Sequence, residues 1–445
     1  MTNLTLQRLF SLSIAALMVW TWVYSSPANA TRIQTVTSKG GITAWLVEDR
    51  QNPIISMRFR FKGGSALDPD GKQGLADFVA STIDEGAGDL DSQAFRTILE
   101  NRSIGLSFSA GRDNFNGQLK TLVRDQDKAF SLLSLALTKP RFDTEPVQRI
   151  RAQIISSIRT ASQSPHTAAG KTLFQTYFDG HPYGKNPNGD EKSISGMSVT
   201  DLKTFTRNRF AKNNLIIGVV GDITPEKLGP LLDKTFGSLP EKATPWDIPE
   251  THPDPGLKTI VKEMNVPQSS IAFAAPGIKR DDPDFYAAYV MNHILGGGSF
   301  TSRLYQQVRE KRGLVYSVYT SLMPFDKAGI IFGGAATNNA KVKETLSVIR
   351  QEWEKFVKSG VSQQELKDAK TFITGSFPLR FTSSDNIAAM LVGIQSANLG
   401  IDYIDRRNSL IDAVTLDDVE RVAKRLLKPQ SMLTVVVGKP EGISE

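Results

Sequence analysis

The sequence predicts an α+β protein made of two homologous tandem α+β domains, each a mainly antiparallel sheet packed by helices, joined by a linker. Three observations carry this. Short stretches recur at a nearly constant distance. Ile217-Gly218-Val219-Val220-Gly221 is echoed by Thr434-Val435-Val436-Val437-Gly438, and Thr200-Asp201-Leu202 by Asp417-Asp418-Val419, both 217 positions on. Val147-Gln148-Arg149-Ile150-Arg151 returns as Leu366-Lys367-Asp368-Ala369-Lys370, 219 positions on. That period is too long for a solenoid repeat and marks a duplication of a whole domain. The order of strand-like and helix-like stretches is also shared by the two halves. Finally, Gly237 to Pro255 holds Pro240, Pro245, Pro249, Pro253 and Pro255 among polar residues, the composition of a linker. The expected units are a leader at 1–30, a first domain at 31–236, a linker at 237–255 and a second domain at 256–445.

Each element has a local cause. Ile42 to Asp49 and Ile54 to Lys62 run apolar or alternate, as paired strands do, and Gly63-Gly64-Ser65 interrupts them. A helix is expected from about Gly74. Ile104 to Phe108 and Phe115 to Leu119 predict two further strands. Asp125 to Thr138 and Thr144 to Thr160 have the 3.6-residue apolar period of amphipathic helices. Thr200 to Phe210 predicts another helix, and Leu215 to Gly221 a buried strand. Thr224 as cap and Pro225 at the first helical position then open the helix that follows.

Composition narrows the function. The 445 residues include no cysteine, which excludes disulfides, thiolate zinc sites, a cysteine nucleophile and a lipoprotein-type lipid anchor. The net charge of +7 is spread without a Lys/Arg run, so no nucleic-acid partner is expected. At the start, Arg8 is the one charged residue before Arg32, Leu9 to Tyr24 is mostly apolar, and Ala28-Asn29-Ala30 is a small-x-small site. This is the layout of a signal peptide cut before Thr31. The run is short for a membrane span. A periplasmic or secreted protein with no stable membrane insertion after cleavage is therefore expected.

The stretch with most chemistry is 296–319. Gly296, Gly297 and Gly298 open a loop in which the backbone can take positive φ and approach another chain closely; Ser299 follows. Phe300, Leu304 and Val308 have the spacing of one helix face. Arg309, Lys311 and Arg312 suit the last turn of a helix, Gly313 its stop, and Leu314 to Tyr319 a strand. The stop brings Arg309 and Tyr316 together, a guanidinium and a phenol able to grip a peptide carbonyl or carboxylate. Spacing alone more readily fits a solvated helix cation and a half-buried strand tyrosine. Arg303, on the same helix and outside the pair, serves as the comparison cation.

Ser302-Arg303-Leu304 through Arg309-Glu310-Lys311-Arg312-Gly313-Leu314-Val315-Tyr316-Ser317, with the Gly221-Asp222-Ile223-Thr224 turn and Phe236-Gly237-Ser238-Leu239-Pro240, resembles the insulinase-like (pitrilysin, M16) metallopeptidase family over essentially the whole mature chain. The resemblance implies that Arg309 and Tyr316 contact substrate, as the second-domain Arg and Tyr of such enzymes do beside a zinc held by the first domain. The glycine loop is similar to that of mitochondrial processing peptidase α-subunits, which implies substrate binding by Gly296, Gly297, Gly298 and Ser299. The family's metal motif is an inverted H-x-x-E-H, two zinc-binding histidines and a glutamate base. In this chain its first His, Glu and second His fall on Asp77, Ala80 and Ser81, and the downstream Glu ligand falls near Ser156-Ser157. No metal site and no cofactor are expected in this chain. The histidines His166, His181, His252 and His293 form no pair at ligand spacing, and Asp84, Glu85, Asp89 and Asp91, separated by glycines, predict a solvated acidic loop.

These readings combine into a non-catalytic, substrate-binding subunit of a heterodimeric zinc peptidase acting on unfolded peptides. The expected partner is a homologous zinc-binding M16 subunit that keeps H-x-x-E-H and supplies the zinc. The alternative is a structural or peptide-binding protein derived from the family with no role in catalysis.

Overall fold

The computed structural model describes residues 32–443. The expected leader, 1–30, lies outside them. The first half contains strands β1 (Gln34–Thr37), β2 (Thr43–Glu48), β3 (Ile54–Lys62), β4 (Gly105–Ala110), β5 (Asn114–Leu122) and β6 (Leu215–Gly221). Its helices are α1 (Leu75–Thr82), α2 (Ser92–Asn101), α3 (Gln126–Thr138), α4 (Thr144–Ser162), α5 (Pro165–Tyr177), α6 (Glu191–Ser195), α7 (Val199–Arg209) and α8 (Pro225–Phe236). The second half contains β7 (Lys258–Glu263), β8 (Gln268–Pro276), β9 (Val315–Phe325), β10 (Ala328–Asn338) and β11 (Leu433–Gly438). Its helices are α9 (Phe285–Asn292), α10 (Val342–Ser359), α11 (Gln363–Gly375), α12 (Ser384–Ser396), α13 (Tyr403–Asp412) and α14 (Leu416–Leu426).

The duplication is explicit in the sheets. The first has the order β1-β2-β6-β3-β5-β4 and the second β7-β11-β8-β10-β9. Apart from β1 the two orders match strand for strand. In each, one parallel pair (β2 with β6, β7 with β11) is followed by antiparallel pairs. β4 and β9 are therefore equivalent edge strands. The helix starts repeat at the same offsets. α7 and α14 both carry a capping box, Ser198 with Asp201 and Thr415 with Asp418. The box also moves the start of α7 from the expected Thr200 to Val199, because Asp201 stands in the first turn, reaching back to the Ser198 amide.

Each half lends a helix to the other. α5 puts Ala169, Leu173 and Tyr177 against Ala272 and Ala274 of β8 and Leu433 and Val435 of β11. Reciprocally, α12 puts Ile387, Ala388 and Leu391 against Val47 and Val220 of the first sheet. Gly218 makes this approach possible, since a Cβ there would stand 2.8 Å from the Ala388 carbonyl and 2.8 Å from the Leu391 Cβ. Gln395 donates to the Ile217 carbonyl at 2.9 Å, and Lys120 pairs with Asp385 at 2.9 Å. The remaining helices of each half cover its own core, one centred on Phe59, Phe61 and Phe115, the other on Phe273, Trp353 and Phe356.

Candidate functional site

The glycine stretch does not take positive φ. Gly296 and Gly297 end a single π turn, His293–Gly297, and Gly298 has φ −84°. The left-handed residue is Ser299, at φ 49°. The glycines are needed for close approach. A Cβ on Gly296 would meet Thr320 Oγ1 at 2.5 Å, and one on Gly297 the Asn292 amide nitrogen at 2.6 Å. The expected helix is also broken. Ser299–Thr301 is a separate 3₁₀ turn, and Tyr305–Glu310 is a second π turn. Leu304 and Val308 are buried as predicted, while Phe300 leaves their face and is 69% exposed. π turns are uncommon and often mark functional sites; two of them bracket this loop.

The turn at Gly313, with φ 58°, sends β9 back along the loop and brings Arg309 and Tyr316 together. The Arg309 guanidinium carbon lies 5.6 Å from the Tyr316 ring centroid and 4.8 Å from that of Tyr305. Arg309 also donates to the Tyr305 hydroxyl and pairs with Glu310 at 2.5 Å. A cation within reach of two aromatic rings is restricted in rotamer as well as attracted. Tyr316 is 85% exposed, at the start of an edge strand. Tyr305 escaped the sequence reading; its signal is its position four residues before Arg309, on the same helical face.

Arg303 is not a free comparison cation. Its guanidinium grips Glu365 with two bonds of 2.6 and 2.9 Å, donates to the Gly360 carbonyl at 2.9 Å and lies 4.6 Å from the Phe356 ring centroid. Arg303, foremost among its partners, holds the Glu365 carboxyl down to about 2. It fastens the loop to α10 and α11, so its replacement would perturb the whole site.

The positions of the lost metal motif meet at one place. Asp77 and Ser81 of α1 and Ser157 of α4 line a cavity of about 800 Å³, closed on another side by α5 residues such as Ala168 and Thr172. A zinc ion does not fit these residues. Asp77 accepts from Asn188 at 3.2 Å, and burial raises its carboxyl, which disfavours the charged form a ligand must have. The Ser81 hydroxyl donates to the Asp77 carbonyl at 2.9 Å. Ala80 offers no base. Among the described residues no group of three His, Asp or Glu side chains is placed to hold a metal ion. No residue of 296–319 lines the cavity; the Arg309–Tyr316 pair belongs to a different surface.

The histidines have packing and hydrogen-bonding surroundings. His293 stacks on Phe372 with centroids 5.2 Å apart, and His181 bonds to the Pro249 carbonyl at 3.0 Å. The acidic loop is not uniformly solvated. Glu85 is buried and pairs with Arg96 at 2.7 Å and Arg149 at 2.6 Å, and Asp91 caps α2 through the Ala94 amide. Two cations out of reach of a local reading, one of them on α4, draw Glu85 inward.

Two duplicated α+β halves, a cavity at the inverted metal motif and an Arg–Tyr pair at the second edge strand define an M16-type chain without the metal and base residues of its peptidases. Comparison with known proteins agrees. Residues 44–190 match the insulinase (peptidase family M16) model, and residues 196–372 match the peptidase M16 inactive domain model. The chain belongs to the insulinase-like M16 family. It is 29% identical over 335 residues to a protein named non-peptidase homolog YmxG from Helicobacter pylori, covering 74% of this chain and 77% of that one. Among solved structures, a peptidase M16 inactive domain from Pseudomonas fluorescens superposes with a TM-score of 0.86 at 28% identity, covering 93% of this chain and 99% of that chain. A structure described as a protease from Helicobacter pylori shares the fold, with a TM-score of 0.84 at 22% identity over 92% of this chain and 99% of that chain.

Proposed function

We propose that this chain is the non-catalytic, substrate-binding half of a two-subunit zinc peptidase acting on unfolded peptides. Its partner would be a homologous M16 subunit with an intact H-x-x-E-H. One observation carries the reading: the metal cavity has no ligand set, while Arg309 and Tyr316 stand preassembled and exposed on a separate surface. A pair with no metal of its own chain to serve would be available to one across an interface. The names of the inactive-domain model and of the non-peptidase relative favour a non-catalytic role.

In this reading the partner's H-x-x-E-H residues would hold a zinc ion, which when bound would supply the activation of the attacking water. The residues of this chain bind and orient. The Tyr316 hydroxyl, unobstructed by protein, donates to the oxyanion that forms at the scissile carbonyl. Arg309, fixed by Tyr305, holds Tyr316 in place by the face of its ring and offers its remaining donors to the peptide backbone. In the Gly296–Ser299 loop, the exposed Gly297 and Ser299 would meet the substrate chain, and buried Gly296, packed on Thr320, would shape the loop beneath them. Both subunits would be exported, to the periplasm or the cell exterior.

The test is co-purification from the native host followed by reconstitution. A chain with H-x-x-E-H should come down with this one, and the mixture should cleave an unstructured peptide that neither cleaves alone. A partner fully active by itself would point instead to a structural or peptide-binding role.

A further inference from the structure

A second large crevice lies where the two halves meet, with a volume of about 970 Å³. The end of β3 contributes Arg60 and Lys62, the turn before β5 Asp113, the last residue of β9 Phe325, the β9–β10 turn Asp326, and α12 Met390 and Ile394. It is far from the Arg309–Tyr316 pair. Tyr316 and Pro324 stand eight residues apart on β9, about 26 Å at the usual rise per residue.

Arg60 is the unusual group. It is half-buried, yet its acceptors are neutral: Nε donates to Asn116 at 2.8 Å and Nη1 to Ser396 at 3.1 Å. Those bonds fix the plane of the guanidinium, and among the described residues Nη2 has no hydrogen-bond acceptor; burial disfavours the charge, which Asp326 and Asp113 support from beyond hydrogen-bond reach. Arg380 and Lys62 also face the crevice without an ion-pair partner among the described residues, whereas Lys279 is paired with Glu250 at 3.0 Å. Arg280 is spent on three rings, lying 4.0 Å from the Phe285 centroid and further from those of Tyr286 and Tyr403.

The crevice also holds carboxylates. Asp113 is engaged by the Tyr183 hydroxyl at 2.6 Å and by the Asp326 amide at 3.2 Å. Asp281 and Asp326 are exposed, where water and salt screen them. A planar, partly desolvated guanidinium with a free edge suits the two oxygens of a carboxylate. Phe325, Met390, Ile394 and the exposed Leu379 supply an apolar wall beside it.

We propose that this crevice binds an organic carboxylate on an apolar body, with Arg60 as the principal anchor and Arg380 and Lys62 as supporting cations. The same chemistry is offered by the C-terminus of an apolar peptide and by a free aliphatic acid. The acceptors Asp281 and Asp326, able to receive amide N–H groups, favour the peptide end. The site is independent of the reading of Arg309 and Tyr316.

Isothermal titration of the full mature chain tests this. The probes are octanoate and an apolar hexapeptide in two forms, with a free C-terminal carboxylate and with a C-terminal amide. The free-carboxylate peptide should saturate the site. Its amide should bind at least about tenfold more weakly, and Arg60→Gln should cost the carboxylate form a similar factor. If a melting curve shows that Arg60→Gln does not fold, Arg380→Gln on its exposed turn takes its place and should weaken binding about threefold or more. Octanoate binding as tightly as the peptide assigns the carboxylate site to free acids, and much weaker octanoate binding assigns it to peptide ends. No saturable binding of either acid, equal binding of acid and amide, or undiminished binding in the folded variant overturns the proposal.

Discussion

Arg303→Ala should destabilise the protein measurably, and the loss should depend on pH. Arg303 is 16% exposed and Glu365 35% exposed, so the pair is partly desolvated. Lowering the Glu365 carboxyl from 4.5 to about 2 corresponds to about 3 kcal/mol if taken whole. Water at the exposed side of Glu365 screens part of this, and the Ser362 amide and hydroxyl, which also hold the carboxylate, account for another part, leaving about 1.5 kcal/mol for the pair. The lost bond to the Gly360 carbonyl and the lost packing on Phe356 add about 1 kcal/mol. The expected total is about 2.5 kcal/mol at pH 7, read from urea unfolding followed by circular dichroism.

The direction with pH follows from linkage. A carboxyl depressed in the folded state stabilises fully above its unfolded value and progressively less as pH falls through the folded one. The difference between the native protein and Arg303→Ala should therefore hold from pH 7 to about 5 and shrink as pH falls from about 4.5 towards 2. In a double-mutant cycle with Glu365→Ala, about 1.5 kcal/mol should appear as coupling. A difference below about 0.5 kcal/mol at pH 7, or one that does not shrink between pH 5 and pH 3, would refute the view that this pair anchors the loop.

Three further outcomes are expected. Gly296→Ala, whose Cβ would stand 2.5 Å from Thr320 Oγ1 and 2.9 Å from its amide nitrogen, should cost about 1–3 kcal/mol in the same unfolding assay; a neutral result would mean the loop yields freely. Metal analysis after mild dialysis should find no stoichiometric zinc, because Asp77, Ala80, Ser81 and Ser157 leave no ligand set; one tightly held zinc per chain would contradict this. N-terminal sequencing of the native protein should begin at Thr31, and an intact Met1 in the membrane fraction would favour an uncleaved anchor.

What was legible in the sequence had local causes. β3 and β6 begin and end where expected because their apolar runs are bounded by Asn52-Pro53, Gly63 and the Gly221 turn. α8 begins at Pro225 because Thr224 and Pro225 are strong start signals. The shared offset of 217 foresaw the matching strand orders of the two sheets. The reciprocal loan of α5 and α12 was not legible, because an apolar helix face does not say which sheet it will cover. Nor was the break at Ser299. The i, i+4 spacing of Phe300, Leu304 and Val308 suits a helix, but the left-handed backbone at Ser299 breaks it, and Phe300 faces outward. Arg303 and Glu85 each have a charged partner that local sequence does not reveal, Glu365 at 62 residues and Arg149 at 64, although Glu85 also meets Arg96, 11 residues on. Within the candidate site, the Arg309–Tyr316 contact was legible from Gly313; the second ring near Arg309, that of Tyr305, was not.

The central claim is that Arg309 and Tyr316 serve an active site completed by another subunit. It is tested most directly by steady-state cleavage of an unstructured peptide by the dimer reconstituted with an H-x-x-E-H partner. Tyr316→Phe keeps the ring that stacks on Arg309 and removes only the hydroxyl, so assembly should be unchanged while turnover falls about 10²–10³-fold. Arg309→Ala should lower turnover and weaken substrate binding together, since it removes a charge as well as its hydrogen bonds. Unaltered cleavage by both variants in a correctly assembled dimer would contradict the claim and leave a structural role as the better account.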